Sequence, residues 1–401
     1  KTISRNLVVD GKGNLFNVTA HRNNNVFQLG NPAGSFKSQF ILANMRIDYN
    51  GANRGKALIF VSDRNNVRWQ ISLEDIQSEG TATNHGRLVF NHSGTTILLG
   101  RINWQAATSK ETDKSDRYGG VVNSAQIKIT KNDEGKEPVI DMTANCALFR
   151  AYKGYSNQLT SMIIEAGVIN LHSVNAQVLH MNDEVSGSAV VFHVKGQSTR
   201  LNVTASGGNS EALGGAISII GNNWTGQAKG KSYTRIEEGA QVSIHSTDNA
   251  RTKKAGAAFV NQVTHGVFYL TGEGTKMTCV ADTPSNIIEA AFRFRLVGNQ
   301  TFYMSDKAEL KVVRNNGTTA GLRFYGPNNA FYISGGAKVL IDNLGKGDTR
   351  PSDGGSGEGR QGIQYPIDGG GTSIFDLKGK GSDVAVNARY GPALEGQNGA
   401  F

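Results

Sequence analysis

One pattern constrains this chain more than any other. A small residue followed by a short alternating strand recurs along its C-terminal half. The copies are Glu238-Gly239-Ala240-Gln241-Val242-Ser243-Ile244, Gly274-Thr275-Lys276-Met277-Thr278-Cys279-Val280, Asp306-Lys307-Ala308-Glu309-Leu310-Lys311-Val312, Gly335-Gly336-Ala337-Lys338-Val339-Leu340-Ile341 and Gly381-Ser382-Asp383-Val384-Ala385-Val386. The small residue falls at 240, 275, 308, 337 and 382, so the spacings are 35, 33, 29 and 45. A degenerate period of this kind, with loops of variable length, fits units that stack on one another.

Each unit breaks into three alternating runs. Ala291 to Leu296, Thr301 to Met304 and Glu309 to Val313 form one set. Gly321 to Tyr325, Ala330 to Ile333 and Lys338 to Ile341 restate it. Period-two alternation with β-branched and aromatic residues reads as strand. Gly and Asn between the runs supply left-handed backbone at low cost. Similar runs open the chain at Leu7, Leu15, Ala57, Val67, Arg87, Thr96 and Gln126, and amphipathic helical periodicity is nearly absent.

The expected fold is therefore all-β: a right-handed parallel β-helix, or β-solenoid, with three strands per coil in the pectate-lyase-like manner. It is expected to run as one domain over 1–401, with long loops near 108–120, 221–232 and 345–371. A sandwich needs only seven to nine strands, far fewer than the runs present. A propeller needs four strands per blade at a steadier period. In the stacked arrangement Phe292, Phe294 and Leu296 pack inward against Leu322 and Phe324, and Arg293, Arg295 and Arg323 point out.

The C-terminal motif is a strand, then Gly-Asn-Asn or Gly-Asn-Gln, then an aromatic strand, then Gly-Gly-Ala-Lys-Val. It resembles the pectate-lyase-like β-helix repeats of Gram-positive surface adhesins, among them the serine-rich-repeat adhesins of gut lactobacilli. The likeness covers Leu201 to Val386 best. It implies a bacterial cell-surface protein, extracellular and anchored to the cell wall through regions outside this chain. It also implies a partner that is a host glycan, another polysaccharide or a host surface protein.

The search for chemistry is mostly negative. The eight histidines are dispersed, and no His-Glu-x-x-His, Cys-x-x-Cys or EF-hand spacing occurs, so no metal or cofactor is expected. Cys146 and Cys279 sit beside apolar residues and read as buried hydrophobes. Glu74-Asp75 and Glu237-Glu238 are adjacent, so on a strand they face opposite ways. Asp133-Glu134 and Asp183-Glu184 fall in turns. The reading is accordingly of a non-catalytic binding region. The alternatives are a polysaccharide lyase or glycoside hydrolase acting on a uronate-containing glycan, and a protein-binding or self-associating module.

Charge gives the ligand class. Lys plus Arg is 42 against 33 for Asp plus Glu, a net charge of +9, which steers acidic partners. The basic residues are scattered rather than gathered in a stripe, so nucleic acid is not expected. No run of apolar residues is long enough to insert in a membrane. An acidic polysaccharide on an outward cationic face is expected, with Arg293, Arg295, Arg314, Arg323 and Lys338 pairing with carboxylates. Trp224 and Tyr325 are the candidate rings for a sugar face. Replacing Arg293, Arg295 and Arg323 together is expected to remove binding and leave the fold intact.

Overall fold

The computed structural model describes residues 3–18, 25–30, 38–48, 56–61, 69–79, 86–91, 94–106, 118–152, 159–174, 177–182, 189–206, 215–222, 231–247, 256–282, 290–295, 298–316, 319–344, 361–365, 371–389 and 391–396. Among them are 33 strands. They fall into two parallel sheets, a long one of 21 strands and a short one of 12. Each strand pairs with the equivalent strand one turn earlier and one turn later, so main-chain hydrogen bonds run along the axis of the stack.

The two sheets wrap around a single apolar core. That core runs from Leu29 to Tyr365. The result is a tube closed around its girth and filled with side chains. The repeat seen in the sequence becomes register. Gln241, Lys276, Glu309, Lys338 and Asp383 lie side by side on successive turns.

The all-β class stands, but the uniform pectate-lyase-like coil of three separate strands is corrected. The strands gather into two sheets, and the early turns carry two strands apiece. Gln39–Asp48, Gln70–Glu79 and Thr95–Ala106 are single strands of 10 to 12 residues. The first part of Thr95–Ala106 pairs with Gln126–Ile129, and its second part pairs with Val139–Ala144. One early strand thus does what two later strands do.

The reason is local. Each long strand passes its corner through one left-handed residue: Asn44 (φ 51°), Asp75 (φ 51°) or Gly100 (φ 56°). Asn, Asp and Gly reach that region at least cost. Later turns replace this residue with a short glycine-bearing turn, as at Gly167 or at Gly335-Gly336, and the strand divides.

Alternation fills the tube. Phe268, Phe302 and Phe331 point inward from the long sheet. Phe294, Phe324 and Tyr365 point inward from the short one. The rings of Phe302 and Phe331 stack at 4.6 Å, and those of Phe294 and Phe324 at 4.6 Å. Such stacking adds about 0.5–1.5 kcal/mol per pair beyond burial. Trp69 and Trp104 are fully buried, and each indole donates to a main-chain carbonyl, of Gly30 and Gly86 respectively.

Of the three expected loops, Tyr118–Ser124 is already strand, as is Gly215–Asn222. The stretch expected as one loop over 345–371 contains a strand, Ile363–Gln364, which continues the short sheet. Two residues between glycines carry no readable alternation, so the sequence hid it. Residues 345–360 and 366–370 lie outside the described residues, as do 107–117 and 223–230.

Candidate functional site

Much of the short sheet is buried on both faces, with Phe60, Phe90, Arg150 and Glu395 only partly covered. Its inward residues join the core. Its opposite face carries a row set by register: Phe60, Phe90 and Val122, then Arg150, His180 and Ser218, then Val260, Arg293, Arg323, Gln364 and Glu395. Neighbours in such a row stand about 4.8 Å apart. The row is apolar at its N-terminal end, where the Phe60 and Phe90 rings stack at 5.2 Å. From Arg150 onward it is mostly polar and charged.

Burial distinguishes this row from an ordinary polar surface. Arg293 is 1% exposed, Arg323 9%, His180 3%, and Ser218 and Gln364 are equally hidden. Sequence alternation correctly puts Arg293 and Arg323 opposite the core phenylalanines. The expectation that they point into solvent is corrected. Periodicity tells which face a side chain takes, but not whether that face is covered.

Burial changes the chemistry of these groups. It lowers the proton affinity of Arg293, with help from the neighbouring Arg295 and Arg323 charges and against the opposing effect of Tyr325, to a pKa of about 9. A charged group taken out of water favours its neutral form. His180 is pushed down to about 3 by burial and by the Arg150 charge beside it, so its imidazole is neutral. Arg295, half-buried, is shifted downward by the same desolvation.

A buried amide network positions the margin of the row. Thr234 Oγ1 donates to Asn261 Oδ1 at 3.3 Å, and Asn261 Nδ2 donates to Gln300 Oε1 at 2.8 Å. The Gln300 main-chain N–H donates to Asn329 Oδ1 at 3.1 Å. Asn329 Nδ2 in turn holds the carbonyls of Tyr325 (3.0 Å) and Gly326 (2.8 Å). The chain leaving the short sheet at Tyr325 is thereby fixed. The Arg323 guanidinium lies 4.0 Å from the Tyr325 ring centroid, a cation–π contact. At the far end, Gln361 and Gln364 donate to the Glu395 carboxylate.

The predicted residues separate into groups. Arg293, Arg295, Arg323 and Tyr325 come together on this row and its margin. Lys338 does not: it is on the long sheet, exposed, in register with Glu309 and Asp383. Trp224 lies outside the described residues. Arg314 is fully buried on the long sheet, and desolvation lowers its pKa to about 10. Sequence reading missed Arg150, His180 and Gln364. Their only signal was a polar residue alternating with apolar ones, a pattern that fits any solvated strand.

Three of the adjacent carboxylates found in the sequence are engaged in structural bonds, and Asp183-Glu184 lies outside the described residues. Glu74 accepts from Asn132 Nδ2 at 2.8 Å, and Asp75 accepts the Arg101 main-chain N–H at 2.6 Å. Glu237 accepts from His193 at 2.8 Å. Among the described residues no group of three or more His, Cys, Asp or Glu is placed to hold a metal ion. No described helix is long and apolar enough to cross a membrane.

The case for a purely adhesive face therefore fails. The exposed cationic face expected of an adhesive surface is not formed, because Arg293 and Arg323 are buried. Groups with strongly perturbed proton affinity gathered in one row are instead a feature of reactive sites. The adhesin likeness finds no support elsewhere: no family model matches the chain, and neither a curated protein nor a solved structure does.

Proposed function

We propose that the arginine row serves an enzyme that cleaves an acidic, uronate-containing polysaccharide by β-elimination. The carrying observation is the cluster itself: Arg293 and Arg323 stand side by side, with Arg323 over the Tyr325 ring, and Arg295 and Tyr325 are the partly exposed residues through which a substrate reaches it. Burial and the neighbouring Arg295 and Arg323 charges weaken the hold of Arg293 on its proton, which is the direction a general base requires. Arg323 and Arg295 supply the positive charge that a uronate carboxylate needs when the adjacent carbon loses its proton. Tyr325, partly exposed at the margin, offers a ring to the sugar.

The step balances without a co-reactant. The base takes the proton from the carbon next to the carboxylate. The C–O bond to the leaving sugar breaks, a carbon–carbon double bond forms in the ring, and the departing oxygen takes up a proton. Hydrolysis fits less well, because it needs two carboxylates facing each other across the bond. Glu395 is the one carboxylate among the described residues of the row. Metal assistance fits less well too, since the row places cations where a bound cation would need acidic ligands. An acidic polymer of this kind is met outside the cell, and an extracellular location is part of the proposal.

The test is incubation with polygalacturonate and other uronate polymers while following the ultraviolet absorbance of the unsaturated product. We expect product, with a rate that climbs toward pH 9. In Arg293→Gln the rate should fall by about 100-fold or more, the scale of a lost general base. Arg293→Lys controls for folding, because it keeps a titratable amine. Absence of product from every uronate polymer by the parent protein overturns the proposal.

A further inference from the structure

A second site lies on the other sheet, far along the tube from the arginine row. An open groove of about 430 Å³ follows the corner of the first turns. Its floor is the left-handed corner itself, at Asn44 and Asp75. Its walls carry Lys12, Arg46, Arg101 and Lys136.

The charge balance decides what it can hold. Asp10 and Asp75 are the two acids in the groove, and the fold already uses both. Asp10 Oδ1 accepts from the Lys12 main-chain N–H at 2.9 Å and from Asn44 Nδ2 at 3.1 Å. Asp75 Oδ1 accepts from the Arg101 main-chain N–H at 2.6 Å. Arg46 is paired with Glu79. Lys12, Arg101 and Lys136 make no ion pair among the described residues. Asp10 and Asp75 keep their negative charge while so bonded, and Asp10 also feels the Lys12 charge, so three cations against two carboxylates leave the groove with a net charge of +1.

We infer that this groove binds an anionic oligosaccharide through Lys12, Arg101 and Lys136. The volume is too large for a bare inorganic anion and falls within the usual range for small-molecule sites, about 300–1,000 Å³. Charged and amide side chains line it together with Met45, and carbon atoms make most of its surface, which suits a sugar's ring face and acid group together. Unlike the arginine row, the groove is open, and its cations reach solvent. The inference is independent of the proposed cleavage.

The probes are trigalacturonic acid and, as the uncharged control, maltotriose, titrated into the full chain by calorimetry at low salt. The acidic trimer should bind and maltotriose should not. Arg101→Gln with Lys136→Gln should weaken the acidic trimer by about tenfold or more, as expected when charge-assisted hydrogen bonds are lost. Lys338→Gln, an exposed cation of the same sheet outside the groove, should leave this affinity unchanged, which separates the groove from surface charge in general. The side-chain changes spare the corner, because Asp75 is held by the Arg101 main-chain N–H, and an unchanged melting temperature checks this. Equal binding of the two trimers overturns the inference. So does undiminished binding by the double variant, or an equal loss of binding in Lys338→Gln.

Discussion

Acidification should destabilise this protein through one residue, His180. Its imidazole faces away from the core on the short sheet, with Arg150 in register on one side and Ser218 on the other. Burial and the Arg150 charge hold its pKa at about 3. An unfolded histidine titrates near pH 6.5. Between these limits the unfolded chain binds a proton that the folded chain refuses. Stability is therefore intact above pH 6.5 and is lost as the pH falls below it. Each pH unit in the window costs about 1.4 kcal/mol. By pH 4.5 the loss reaches about 2.7 kcal/mol, and the full shift of about 3.5 units corresponds to about 5 kcal/mol.

The assay compares urea midpoints of the parent and His180→Leu at pH 7, 5.5 and 4.5. Carboxylates elsewhere titrate alike in both proteins, so the difference between the two curves isolates His180. We expect the parent to lose stability relative to the variant as the pH falls. Nuclear magnetic resonance of the His180 ring gives a second reading on the parent alone, should the leucine variant fold poorly. A parent and variant with parallel pH dependence, or a ring that titrates near 6.5 in the folded state, would refute the reasoning.

Other consequences follow from packing. Phe302→Ala removes a ring stacked on Phe331 and in tilted contact with Phe268 in the core and should cost about 3–5 kcal/mol, seen as a lower urea midpoint. Asn261→Leu orphans Gln300 Oε1 in a buried network and should cost about 1–3 kcal/mol in the same measurement. Gly167→Ala should lower the melting temperature, because Gly167 has φ +90° and a Cβ there would collide with the Pro138 carbonyl. Cys279 is fully buried and burial raises its thiol pKa, so it should resist alkylation in the folded protein and react once urea is added.

The proposed site was half legible. Alternation in Ala291-Phe292-Arg293-Phe294 put Phe292 and Phe294 in the core and Arg293 opposite. The same rule placed Arg323 beside Arg293, because Phe294 and Phe324 must share a layer. The rule is silent on what lies beyond the sheet. A polar residue on a strand's outer face reads the same whether it meets water or is covered, so the exposed binding face expected from Arg293, Arg295 and Arg323 was the wrong inference. Lys338 looked like part of that face because both belong to the repeat. Register assigns it to the other sheet.

Local chemistry determined much by itself. Strands came from period-two alternation, corners from Gly, Asn and Asp, and the stacking of units from five small residues ahead of five alternating runs. These are short-range preferences, set by backbone sterics and by which side chains water rejects. Tertiary structure alone decided three things: that the early corners keep a strand continuous through Asn44, Asp75 and Gly100, that the strands gather into two sheets, and that the arginine row is buried. Each depends on pairing between residues some thirty positions apart along the chain. Burial of a charge, and with it the proton affinity that makes Arg293 and His180 chemically distinctive, exists only once that pairing has closed the tube.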